Sequence, residues 1–104
     1  MRLPIDTSEM AFQVLSRPEP LRDPTSARAR TTREGRPLFM VQLVTSWRGD
    51  VGTIAVEVAR EPSVDVRPGV VVDVAGLAAV SWTTGNHSGL VFRAERIEPA
   101  DGGT

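Results

Sequence analysis

The chain has no cysteine, and all twelve of its cationic residues are arginine, so lysine is absent as well. Lack of cysteine excludes a disulfide framework and any cysteine-ligated zinc site. No apolar run is long enough for a membrane-spanning helix, so no membrane partner is expected. The start, "MRLPIDTSEM", lacks the apolar stretch of a signal peptide, which makes a cytoplasmic location the expectation. Sustained helical spacing of apolar residues is missing too, while proline and glycine recur throughout. Chemistry-bearing sets are equally scarce. His87 is the single histidine and sits among turn residues, and no serine has a Gly-x-Ser-x-Gly setting. "GDVG" and "DGGT" are too short for phosphate loops. Neither an enzyme nor a cofactor is therefore expected.

What is present is a valine-rich chain of 104 residues, 40% apolar and 24% charged, a size and balance that suit one globular domain over residues 1–104. Net charge is −1, but its distribution is uneven. Residues 22–36 hold five arginines against Asp23 and Glu34, a local +3, whereas residues 37–104 hold five arginines and eight acids, or −3. A basic segment is thus set on a mildly acidic body.

Short alternating apolar runs predict five strands. These are Met10 to Leu15, Leu38 to Trp47, Val51 to Ala59, Val70 to Thr83 and Leu90 to Glu98. Phe12, Phe39 and Phe92 fall on the apolar faces and are assigned to the core. Residues 16–37 read as a long, partly flexible loop, "TGNHSG" as a hairpin turn, and residues 99–104 as a frayed tail. Gly76 interrupts the fourth strand. If it marks a bulge, the face alternation switches and Trp82 points outward; if not, Trp82 shares the face of Val70, Val72 and Val74. Five strands are too few for a sandwich and favour closure, so the predicted fold is all-β, a five-stranded Greek-key barrel of the oligonucleotide/oligosaccharide-binding (OB) type, with its core at about residues 10–98.

"LVTSWRGD" ends a strand in an aromatic residue followed by a basic and an acidic one. "VRPGVVVDVAGLAAVSW" combines a Pro-Gly turn, alternating valines, a mid-strand glycine and a tryptophan near the tip. "SRPEPLRDPTSARARTTREGRPL" joins the first strand to the second through an Asp-Pro step and a glycine. In this order and spacing the chain resembles bacterial single-stranded-DNA-binding proteins over residues 10–98. The resemblance implies binding of single strands by stacking and backbone charge, with Trp47 and Trp82 as stacking residues. Arg48, Arg93 and the arginines of the loop, Arg28, Arg30, Arg33 and Arg36, would then hold phosphates through their planar forks. The family's members are longer and end in an acidic tail, whereas "PADGGT" carries only Asp101. A small relative encoded by a plasmid or mobile element is the expectation, working as a dimer or tetramer, with DNA before RNA as ligand and a replication or transfer protein as a further partner. The bland alternatives are that Trp47 and Trp82 plug barrel ends, that the arginine loop is merely solvated, and that the barrel is a non-catalytic protein-interaction module.

Overall fold

The computed structural model describes residues 1–100 apart from 24, 25 and 27, and the described residues are all-β. Among the described residues nine strands form where five were expected. They are β1 (Arg2–Pro4), β2 (Met10–Val14), β3 (Glu19–Pro20), β4 (Phe39–Trp47), β5 (Asp50–Val58), β6 (Val71–Ala75), β7 (Ala78–Thr84), β8 (His87–Ala94) and β9 (Arg96–Pro99). Strands β2, β4 and β5 are the first three expected segments. The fourth divides into β6 and β7, and the fifth into β8 and β9. Strands β1 and β3 are additional. Each is short, ends in proline and lacks an apolar alternation, so neither carries a pattern that sequence reading can detect. Among the described residues no helix is long and apolar enough to cross a membrane.

The strands form one strongly curled open sheet in the order β1-β7-β8-β5-β4-β2-β6-β9, with β3 set beside β2 on the edge of β4. All pairings are antiparallel except β5 with β8, where Val56, Glu57 and Val58 run parallel to Phe92, Arg93 and Ala94. Alternation dictates the concave face. Phe12 and Val14 of β2, Val41 and Leu43 of β4, and Val56 and Val58 of β5 form the core with Val72, Val74, Leu77 and Ile97. Leu43, Val41, Val56 and Val58 are essentially inaccessible, and burying each contributes about 1.5–3 kcal/mol. Phe12 is fully buried, while Phe39 and Phe92 pack half-buried against the same cluster.

The two long hairpins turn tightly. Arg48 (φ 48°) and Gly49 (φ 89°) form a two-residue loop with positive φ at both positions, the signature of a type I′ turn. In the second hairpin Gly85 (φ 58°) takes the first loop position, and His87 already pairs with Thr84. The strand expected from Leu90 thus begins three residues earlier, and His87 is an exposed strand residue. At the far end Pro99, expected in the frayed tail, pairs with Val72 in β9. Residues 101–104 of that tail lie outside the described residues.

The long hairpin changes face midway. Val74 pairs with Ile97, and Ala78 pairs with Arg93. The register advances four residues on each strand, so no residue is inserted. Yet the buried positions pass from Val74 to Leu77 on one strand and from Ile97 to Ala94 on the other, an odd step in both. Gly76 (φ 68°) absorbs the change on its strand, and Glu95 lies opposite, its N–H donating to the Ala75 carbonyl at 2.9 Å. The alternation therefore does switch at Gly76, through paired kinks rather than an extra residue. Leu90 keeps its inward position but lies beyond the core, 62% exposed.

Over their described part, residues 16–37 form a hydrogen-bonded ribbon. Arg22 bridges to Ala29 and Thr31 to Pro37. The N–H groups of Leu21, Arg30 and Leu38 donate to the carbonyls of Leu38, Leu21 and Arg30 at 2.8–2.9 Å. Leu38 is buried beneath this ribbon.

Candidate nucleic-acid interface

Glu57 organises the convex face. It lies between Val56 and Val58, so its side chain points away from the core, yet it is only 3% exposed. A buried carboxylate needs cationic or hydrogen-bond partners. Arg93, its neighbour across the parallel seam, donates from Nε at 3.2 Å, and Arg30 approaches from the ribbon at 3.9 Å. The glutamate thereby ties the ribbon to β5 and β8.

A cleft of about 670 Å³ opens between them. Its wall contains Arg30, Arg33, Arg36 and Arg93, all expected from the sequence, and also Arg2, Arg60 and Arg96, which were not. Against these seven arginines stand Glu34, Glu57 and Glu95, leaving a formal excess of four positive charges. The Glu34 carboxylate accepts from its own backbone N–H and from the Thr32 hydroxyl, which holds its pKa below the ordinary value. The three additional arginines were missed because they converge through register. Arg2 lies in the unrecognised β1, Arg60 just after β5, and Arg96 beyond the switch at Gly76.

The two tryptophans part company. Trp82 follows Ala78 and Val80 on the convex side of β7, the side that carries Arg93 of β8. It is 43% exposed. Its indole lies against Gly89, the residue opposite, where an added Cβ would meet ring atoms at 2.9–3.1 Å. Arg2 pairs with Val80 and so shares that face, at a level between Trp82 and Ala78 along β7 but on the side of β7 away from β8. Trp82 is four residues from Ala78, the partner of Arg93, or about 13 Å along the strand.

Trp47 instead continues the inward series of Val41, Leu43 and Thr45 and pairs with Met10 at the open end of the core. It is 46% exposed and carries the Arg48 guanidinium over its ring at 4.9 Å. That guanidinium also holds Glu9, at 2.7 Å from Nη2 and 3.1 Å from Nε. Trp47 and Arg48 thus form a separate cluster away from the arginine cleft. Arg28 is exposed on the outer turn of the ribbon, its N–H facing the Ser26 hydroxyl, and does not line the cleft. No family model, curated protein or solved structure matches this chain.

Proposed function

We propose that the chain binds single-stranded nucleic acid, DNA before RNA, along its convex face. The observation that carries this reading is the cleft of seven arginines and three glutamates, continued past Arg2 to the exposed indole of Trp82. Arginine forks suit phosphate oxygens, and an indole backed by a glycine offers its free face to a base. The strand pairings support an OB-type barrel as the underlying plan. The first long hairpin (β4, β5) is flanked by β2, a parallel seam joins β5 to β8, and β6 returns to β2. Under this reading the chain is a relative or analogue of bacterial single-stranded-DNA-binding proteins, and its action needs no cofactor. Trp82, Arg93, Arg30, Arg33 and Arg36 remain in the proposed site. Trp47 and Arg48 take the role of an end plug and its latch.

Fluorescence titration tests it. In a Trp47→Phe background, oligo-dT should quench Trp82, and affinity should fall as salt rises because phosphate contacts release counterions. The double variant Arg33→Glu/Arg36→Glu should weaken binding by at least about tenfold. Absence of quenching by a folded protein at low salt sinks the proposal and leaves the protein-interaction reading, which the exposed Leu3, Leu90 and Trp47 favour.

A further inference from the structure

Three acids stand in the wall of the arginine cleft, and they differ in burial. Glu34 and Glu95 are exposed, whereas the Glu57 carboxylate is buried. On net charge alone, an acid in this place should weaken an anion site. The placement of Glu57 argues the opposite.

Two arginines reach its carboxylate from elements far apart in the chain. Arg93 comes from β8, directly across the parallel seam, and its Nε donates to Oε1 at 3.2 Å. Arg30 comes from the ribbon, where its N–H donates to the Leu21 carbonyl and its own carbonyl accepts from Leu38. Its Nη1 lies 3.9 Å from Oε2. Without a shared anion these two like charges would repel each other. A planar guanidinium can meet a carboxylate along one edge and keep its other N–H groups for a second acceptor. Among the described residues, the Nη groups of Arg93 and the Nε and Nη2 of Arg30 have no hydrogen-bond partner. Both side chains are partly exposed and line the cleft.

We propose that Glu57 is a positioning residue for the cleft: it fixes Arg30 and Arg93 as a two-pronged clamp on one phosphate of the strand. The clamp rests on the nucleic-acid reading of the cleft. A phosphate docks on the outer edges of both guanidiniums, so two cations lie nearer to it than the carboxylate behind them. Attraction then exceeds repulsion. The carboxylate also holds both prongs in place before the ligand arrives, which lowers the ordering cost of binding. Glu34, on the rim, acts only as an opposing charge.

Oligo-dT affinity and its salt dependence, measured for the wild type and three folded variants, separate support from charge. Glu57→Gln removes the charge, keeps the shape and turns an amide donor toward one arginine. It should weaken binding at least about threefold. Its log–log salt slope should be shallower by about 0.7, the loss of one phosphate contact on a single strand. Glu57→Asp keeps the charge but shortens the reach, and should weaken binding as well. Glu34→Gln removes the same charge from the rim and should tighten binding. In the free protein, the Arg93 Nε–H should exchange slowly with water by NMR, and faster in Glu57→Asp. Wild-type protein that leaves oligo-dT unbound at low salt overturns both the nucleic-acid reading and the clamp. Wild-type binding with a Glu57→Gln variant that binds as tightly, or more tightly, overturns the clamp alone. So does unchanged affinity in Glu57→Asp, a Glu34→Gln variant that loses affinity to the same extent as Glu57→Gln, or an Arg93 Nε–H that exchanges equally fast in wild type and Glu57→Asp.

Discussion

The indole of Trp82 rests on Gly89, its cross-strand partner, so closely that no Cβ fits beneath it. A side chain that would be mobile at a hairpin tip is thereby laid flat with one face outward. Gly89→Ala should swing the indole away, because the contacting atoms are at the free end of a rotatable side chain. The expected result is a stability change below about 1 kcal/mol, with stronger acrylamide quenching of Trp82 in a Trp47→Phe background.

Gly76 presents a harder constraint. Its φ of 68° is strained for other residues, and a Cβ would meet the Glu95 Cγ and Cδ at 2.6 and 2.7 Å. Gly76→Ala should cost about 2 kcal/mol, combining backbone strain with displacement of Glu95. Adding Glu95→Ala should recover part of that loss. Urea denaturation of the single and double variants reads the coupling directly.

Thr45 is buried on the concave side of β4, and among the described residues its hydroxyl has no hydrogen-bond partner. Replacing that hydroxyl by a methyl group removes an unmet desolvation cost. Thr45→Val should therefore raise stability by about 1 kcal/mol, visible as a higher denaturation midpoint at unchanged slope. A lower midpoint would mean that the hydroxyl has a partner in solution.

Glu57 joins the ribbon to the sheet, but its two arginines remain partly exposed, so losing the carboxylate leaves them accessible to water. Glu57→Ala should cost about 1–2 kcal/mol, less than breaking a fully buried pair. It should also loosen the ribbon, measured as faster amide exchange at Arg30 and Leu38.

Acid should act on the ribbon through Glu34. Its pKa is depressed in the folded chain by its own N–H and by Thr32. A depressed carboxylate stabilises the fold above its unfolded pKa, and that contribution is lost as pH falls through the folded value. The Glu34 carboxyl resonance should titrate below the ordinary range, and Thr32→Ala should move it upward.

The valine alternation made most of the sheet legible: the ends of β4 and β5 lie within one residue of the expected limits. It also marked Asp73 as outward and Val72 and Val74 as core. Gly76 was visible as an interruption. Its consequence depended on Glu95, however, which shares the kink without being a glycine. The arginine loop was legible as charge, but its joining to Arg93 required Glu57, whose burial on an outward position only the fold explains. For Trp47, parity with Leu43 already placed it inward. It is nonetheless 46% exposed, because the strand outruns the core.

The parallel seam has a bearing on how the chain folds. Both long hairpins close over two-residue loops, so their pairings are local and fast. The seam joins Val56 to Phe92, 36 positions apart (92 minus 56), a separation that closing either hairpin does not bridge. Val56 and Val58 are among the most deeply buried residues. The densest part of the interior is therefore completed by a non-local pairing, and neither ribbon has a finished core to stabilise it alone. Such an order makes acquisition of the native state a single cooperative event.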